Sequence, residues 1–274
     1  MSGAARAGRI ALVVALPLLV IGAWQLATWV FSPREWMLPA PGAVAVAAWD
    51  ARDRLWFHAQ WTGVIAVIGL LLAVGIGSLL AYAIARSRLA WLALYPWVIV
   101  SQVIPLVALA PLLVLWFPAF AAILILAVLM SIFPVVVAGV DGLRATDPDL
   151  VRAARGLGAT EGWTWRHVRM PAALPRLFTG IRLAAVFVVS GAVVGELVAS
   201  DRGLGALTRL TAGQFETPLT FAGVAMLALI GLALFGLVVL VEAIALPWTR
   251  RSTRRGVSPT TTTNRRTQCS SESP

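Results

Sequence analysis

The run Arg152–Pro171, RAARGLGATEGWTWRHVRMP, decides how this chain is read. It is a polar, basic insert in a protein that is otherwise 59% hydrophobic and only 12% charged, with a mean hydropathy of +0.87. Soluble domains carry roughly 25% charged residues, so the background is that of an integral membrane protein. An all-α architecture follows, because a helix satisfies its backbone hydrogen bonds internally in hydrocarbon. A membrane protein keeps such an insert on one face chiefly to meet the headgroups or a soluble partner.

Working outward from the insert, apolar runs long enough to cross a bilayer, about 20 residues each, fall at Ile10–Phe31, Gln60–Ala85, Trp91–Trp116, Ala119–Val140, Arg176–Ala199 and Leu219–Pro247. That predicts about six transmembrane helices within a single membrane domain at 10–248. Arg6 and Arg9 precede the first run as in a signal peptide. The run exceeds the ~7–15 residues of a signal core and lacks a small-residue cleavage site, so it reads as an uncleaved helix.

The net charge of +10 comes entirely from arginine. A basic balance would raise nucleic acid as a partner, but here the arginines lie in short loops between spans. With the N-terminus inside, sixteen fall in inner segments and five in outer ones, with Arg182 inside a span. By the positive-inside rule, both termini (1–9 and 249–274) and the insert at about 141–175 are cytoplasmic. The tail after Trp248, rich in Arg, Ser and Thr, is predicted to be disordered and near anionic headgroups. On the outer side, Leu38–Pro39–Ala40–Pro41 is extended, and Gly42–Asp53 reads as a short surface helix.

Chemistry is limited by what is missing. The single cysteine, Cys269, permits no intrachain disulfide and no cysteine-based metal site, and the two histidines, His58 and His167, lie far apart. With no lysine the chain cannot contain a G-x-x-x-x-G-K-[ST] phosphate loop. No cofactor is expected on this chain.

Within the insert, Asp147 caps a helix that has Pro148 at its first position. The helix spans Asp149–Leu157, and Gly158 ends it in the left-handed conformation. Thr160 caps a second short helix carrying Trp163 and Trp165, which Pro171 closes, and Pro175 starts the fifth span. Leu150, Val151, Ala154 and Leu157 share one face of the first helix. Spacing alone leaves two uses open, an amphipathic hairpin on the bilayer surface or a rigid handle for a soluble partner.

The residue pattern resembles the permease subunits of binding-protein-dependent ABC importers. Their cytoplasmic signature reads E-A-A, three residues, G, nine residues, I-x-L-P. Ala153, Ala154, Gly158 and Pro171 match at the family spacing, Val168 and Met170 stand for the Ile and Leu, and Arg152 stands where the family carries Glu. Asp147–Leu150, Gly158–Thr160 and Pro171–Pro175 are similar too, and the likeness runs from Leu38–Pro41 to Pro247–Trp248. Gln102–Pro105 with Ala108–Pro111 is similar to the nitrate/taurine/sulfonate class. Gly191–Glu196, Gln214–Thr217 and Pro247–Trp248 are similar to members associated with thiamine precursors or related vitamins.

The resemblance implies a type I importer permease fold in a bacterial plasma membrane. It implies a coupling loop, Arg152 to Pro171, seated on a cytoplasmic ATPase dimer that holds ATP and magnesium. It further implies a second permease copy, an extracytoplasmic binding protein, and cargo such as a sulfonate, taurine, nitrate or a vitamin precursor. An ion-coupled secondary transporter is the alternative, but no repeat halves are seen and the ionisable residues sit near span ends. A membrane enzyme using Asp141, Asp147 and Asp149 to hold magnesium is a further alternative, which the helix-start reading of Asp147 and Asp149 disfavours.

Inside the membrane, prolines crowd the third span at Pro96, Pro105, Pro111 and Pro118. They predict a kinked helix, either lining the path with Ser101, Gln102 and Pro105 or serving packing alone. Glu196 and Arg182 in the fifth span are candidate functional charges or snorkelling ones. Gly191 and Gly195 predict a close helix contact, with a subunit interface as one use. Trp56, Trp163, Trp165 and Trp248 are predicted interfacial anchors.

Overall fold

A computed structural model describes the backbone of residues 3–248 and the side chains of residues 15–248. The basic tail at 249–274 therefore lies outside the described residues. The helices are α1 (Gly3–Phe31), α2 (Pro41–Asp50), α3 (Arg52–Arg86), α4 (Arg88–Val100), α5 (Leu106–Trp116) and α6 (Ala119–Arg144). They continue with α7 (Pro148–Gly156), α8 (Glu161–Thr164), a π turn at Trp165–Arg169, α9 (Met170–Ala199), α10 (Leu204–Gly213) and α11 (Thr217–Ala245).

Among the described residues, α3, α6, the continuous Glu161–Ala199 segment and α11 are each long and apolar enough to cross a bilayer. Ala15–Phe31 of α1 adds a shorter apolar stretch. Several predicted spans are longer in the structure. The second begins at Arg52 rather than Gln60, and its 35 residues reach about 52 Å at ~1.5 Å per residue, well beyond a hydrocarbon core. Ala40 is extended (φ −68°, ψ 147°) and Pro41 opens α2, so the outer segment folds as its prolines dictate.

The third predicted span is not one helix. It is α4 and α5, of 13 and 11 residues, separated by irregular chain at 101–105. Pro105 has no N–H to continue the ladder, and it drives Ile104 out of the α region. The end of α4 tightens instead, with Ser101, Gln102 and Val103 N–H groups donating to Trp97, Ile99 and Val100 carbonyls. Pro96 and Pro111 stay inside their helices.

Pro171 likewise does not stop a helix. It sits directly after the π turn, and the helix continues through it. Met170 N–H donates to Trp165 O. The second loop helix thus runs without interruption into α9, and Pro175 lies inside the helix.

The core is formed by α3, α6, α9 and α11, with Ile65, Ile123, Val135, Ala184 and Val188 wholly enclosed. Its tightest contact is between α6 and α9. A Cβ on Gly191 would lie 2.7 Å from Ala127 Cα, and one on Gly195 would lie 2.8 Å from Ile123 Cα. The G-x-x-x-G pair therefore joins two helices of one chain rather than two subunits. Gly191→Leu forces the two backbones apart, and overpacking of this kind costs about 1–3 kcal/mol. A lowered melting temperature of the purified protein in detergent checks it.

Candidate functional site

At one end of the bundle, the insert builds a two-helix handle. Asp147 accepts the Asp149 N–H at 2.8 Å, with Pro148 as the first helical residue. The helix ends in a paired closure, with Ala159 N–H donating to Ala154 O and Gly158 N–H to Arg155 O, each at 3.0 Å. These are the two bonds of a Schellman cap, and Gly158 takes the left-handed φ of +85° that the cap needs. Thr160 then caps α8 by accepting the Trp163 N–H.

The predicted apolar face of α7 divides. Val151 is buried, while Leu150 is 56% exposed and Leu157 is 90% exposed. Ala153 is exposed and Ala154 partly so. Ala154, Leu157, Gly158, Thr160, Trp163 and Val168 line a concavity of about 610 Å³ between the two helices. Met170 is exposed and Pro171 half-buried where the handle joins α9. Arg152 pairs with Asp149 on its own helix, both strongly exposed, so part of its charge is answered locally.

Trp165 departs from the prediction of an interfacial anchor, being only 6% exposed. Its ring meets Tyr82 edge-on at 5.6 Å and lies under the Arg86 and Arg169 guanidinium groups at 5.7 and 4.8 Å. Trp56, Trp163 and Trp248 stay exposed. Trp163 stacks on His167 at 4.6 Å.

The four residues considered for a path fall into two places. Ser101, Gln102 and Pro105 are all exposed at the break between α4 and α5. α4 packs against the C-terminal ends of α3 and α6 through Trp91 and Tyr95, and α5 against the N-terminal half of α6 through Ala110 and Leu113. The break therefore lies near the middle of the bundle's height. Irregular backbone at that depth is tolerated only against protein or a watery cavity.

Glu196 lies elsewhere, wholly enclosed near the outer end of α9. It accepts from Thr62 Oγ1 and from Gly205 N–H, each at 2.8 Å, while Leu204 N–H donates to Thr62 Oγ1. His58 Nδ1 donates to Gly203 O at 2.9 Å. Gly203 has φ +99°, and a side chain there would collide with the Glu196 carboxylate. The knot ties α3, α9 and the start of α10 together, with the Glu196 carboxyl group against the N-terminus of α10.

Three participants escaped sequence reasoning. The helix α10 was unmarked because Gly203 breaks the chain in a short loop. Thr62 looked like one more small residue in an apolar run. Glu242 pairs with Arg182, which donates to it from Nε at 2.7 Å. Two opposite charges in separate spans were the available signal.

A helical bundle with a rigid handle at one end and a broken helix across its middle defines a membrane transport permease. Residues 73–246 match the family described as the binding-protein-dependent transport system inner membrane component, and the chain belongs to that family. It is 38% identical over 234 residues to the riboflavin transport system permease protein RibX of Chloroflexus aurantiacus, covering 84% of this chain and 87% of that one. It is 33% identical over 238 residues to the formylaminopyrimidine transport permease protein ThiX of Halalkalibacterium halodurans, covering 86% and 94%. It is also 31% identical over 238 residues to the putative aliphatic sulfonates transport permease protein SsuC of Bacillus subtilis, covering 85% and 86%. In fold it is similar to a chain of the inward-facing MetNI methionine ABC transporter, at a TM-score of 0.55 and 20% identity, covering 69% of this chain and 98% of that one. The fold is that of a type I ABC importer permease.

Glu196→Ala leaves the Gly205 N–H without a partner inside protein, and such a group costs about 1–3 kcal/mol. Hydrogen exchange should quicken at the start of α10 while α6 stays protected. Unchanged exchange at Leu204 and Gly205 would show that the carboxylate does not hold them.

Proposed function

We propose that this chain is the membrane-spanning subunit of an ATP-driven importer in a bacterial plasma membrane, with both termini cytoplasmic. Two copies form the path. The handle, Arg152 to Pro171, seats on a partner ATPase that carries ATP and magnesium, and this chain performs no hydrolysis itself. A binding protein delivers cargo at the opposite face. The observation that supports the reading is Leu157. A leucine 90% exposed at the tip of a capped, polar handle leaves apolar surface that a protein groove would cover. The second helix of the handle, from Glu161, is continuous with α9, so movement of that helix is carried directly into the membrane-spanning segment.

The path passes the α4–α5 break, lined by Ser101, Gln102 and the carbonyl-rich turn before Pro105. Glu196 stands behind it as a brace of the outer end. Ser101 and Gln102 offer neutral donors and acceptors, and Arg182, the arginine within a span, is engaged by Glu242. That chemistry suits an uncharged heterocycle better than a sulfonate. The relatives named for riboflavin and formylaminopyrimidine support the same direction. We therefore take the cargo to be a vitamin or vitamin precursor of heterocyclic type.

Uptake into proteoliposomes holding this chain, its partner ATPase and its binding protein tests the reading. Accumulation of riboflavin or an aminopyrimidine should require ATP and all three components. Uptake without the ATPase overturns the importer assignment, and uptake of taurine alone overturns the cargo. In the same assay Arg152→Glu should change ATPase affinity by less than tenfold, because an exposed ion pair is worth about 0–1 kcal/mol. Gly158→Val should abolish coupling, because its φ of +85° is closed to a β-branched side chain.

A further inference from the structure

The handle meets the membrane domain at more than the peptide bond into α9. Trp165 is the first residue of the π turn, and its ring is inserted where three other elements converge. It packs with Leu143 of α6 and Ala173 of α9, with Tyr82 and Ala85 of α3 alongside. Arg86, the last residue of α3, lies over one part of the ring and also pairs with Glu161 at the start of α8, at 3.7 Å. Arg169, at the end of the π turn, lies over the ring as well. One buried indole thus joins the base of the handle to α3, α6 and α9.

The composition of this joint is unusual for simple packing. Two guanidinium groups lie over one aromatic ring, whose electron-rich face attracts both. The π turn itself widens the helix by one residue at this point, and such turns are frequent at functional sites. Trp165 points inward, while Trp163, two residues earlier, is 49% exposed on the handle. By contrast α7, which carries Ala153 and Ala154 and ends at Leu157, has one buried residue, Val151. Lateral connection from the handle to α3 therefore runs through Trp165 and its two arginines.

We infer that Trp165 is a positioning residue for transport, the pin that makes α3 follow the handle when the partner ATPase displaces it. The inference rests on the coupling role proposed above for the handle. Without the pin, displacement passes along the continuous helix into α9 alone. α3 then stays behind, although the handle still binds its partner.

The experiment uses the full permease with its partner ATPase in nanodiscs, after Cys269→Ser removes the native thiol. Spin labels are placed singly at Gly156→Cys on the handle or Gly75→Cys on α3, two sites with open space around them. Distances across the two copies are measured with and without ATP and vanadate. In otherwise unaltered protein both distances should shift on trapping. Adding Trp165→Ala should preserve the handle shift and abolish the α3 shift, and Trp165→Phe, which restores a ring against Tyr82, should bring the α3 shift back.

An α3 shift that survives Trp165→Ala overturns the inference and leaves the coupling role standing. Absence of any handle shift in the unaltered protein overturns the coupling role and the inference with it. If Trp165→Ala fails to assemble, Tyr82→Leu reports from the α3 side of the same contact. The same selective loss supports the pin, and a retained shift rejects it.

Discussion

The close approach of α6 and α9 is the constraint on which the rest of the molecule depends. At Gly191 and Gly195 the two backbones come so near that even a methyl group does not fit. Hydrocarbon tails surround a membrane helix as favourably as leucines do, so packing must come from contacts that lipid cannot make. Small residues let the backbones meet, and α3 and α11 then close over that pair to complete the core. Every functional element is placed relative to this seam.

α9 consequently serves as a spine with a polar fixture at each end. At the handle end Trp165 binds the handle to α3 under two arginines. At the opposite end Glu196 binds α3 and α10 through Thr62 and Gly205. Both fixtures are buried, and both tie to the same helix, α3. A helix 39 residues long from Glu161 to Ala199 spans the distance between them without a break. The broken α4–α5 pair is the opposite kind of element, short and irregular at mid-depth.

Much of this was legible in particular residues. Asp147, Pro148, Gly158 and Thr160 act locally, through caps and backbone conformation, and all four do in the structure what their chemistry prescribes. Proline was read less well. Pro171 looked like a helix stop and Pro175 like the start of a new span, yet one helix runs through both. Pro105 looked like a kink within one span and instead ends it. A proline's effect depends on whether its neighbours can satisfy the freed backbone, and that information lies in other elements.

The pattern of apolar runs, arginines and caps was sufficient for the membrane setting, the helical class and the position of the handle, and the likeness of Ala153, Ala154, Gly158 and Pro171 to a known signature for the family, because each depends on residues near one another in the chain. Tertiary structure alone decided what the buried polar groups do. Glu196 and Thr62, 134 positions apart, and Tyr82 and Trp165, 83 positions apart by their numbers, meet only when α3 lies against α9. Sequence placed an anchor at Trp165 and a membrane charge at Glu196. Packing made one a joint and the other a clasp, because a side chain's role in hydrocarbon is set by the partner that reaches it.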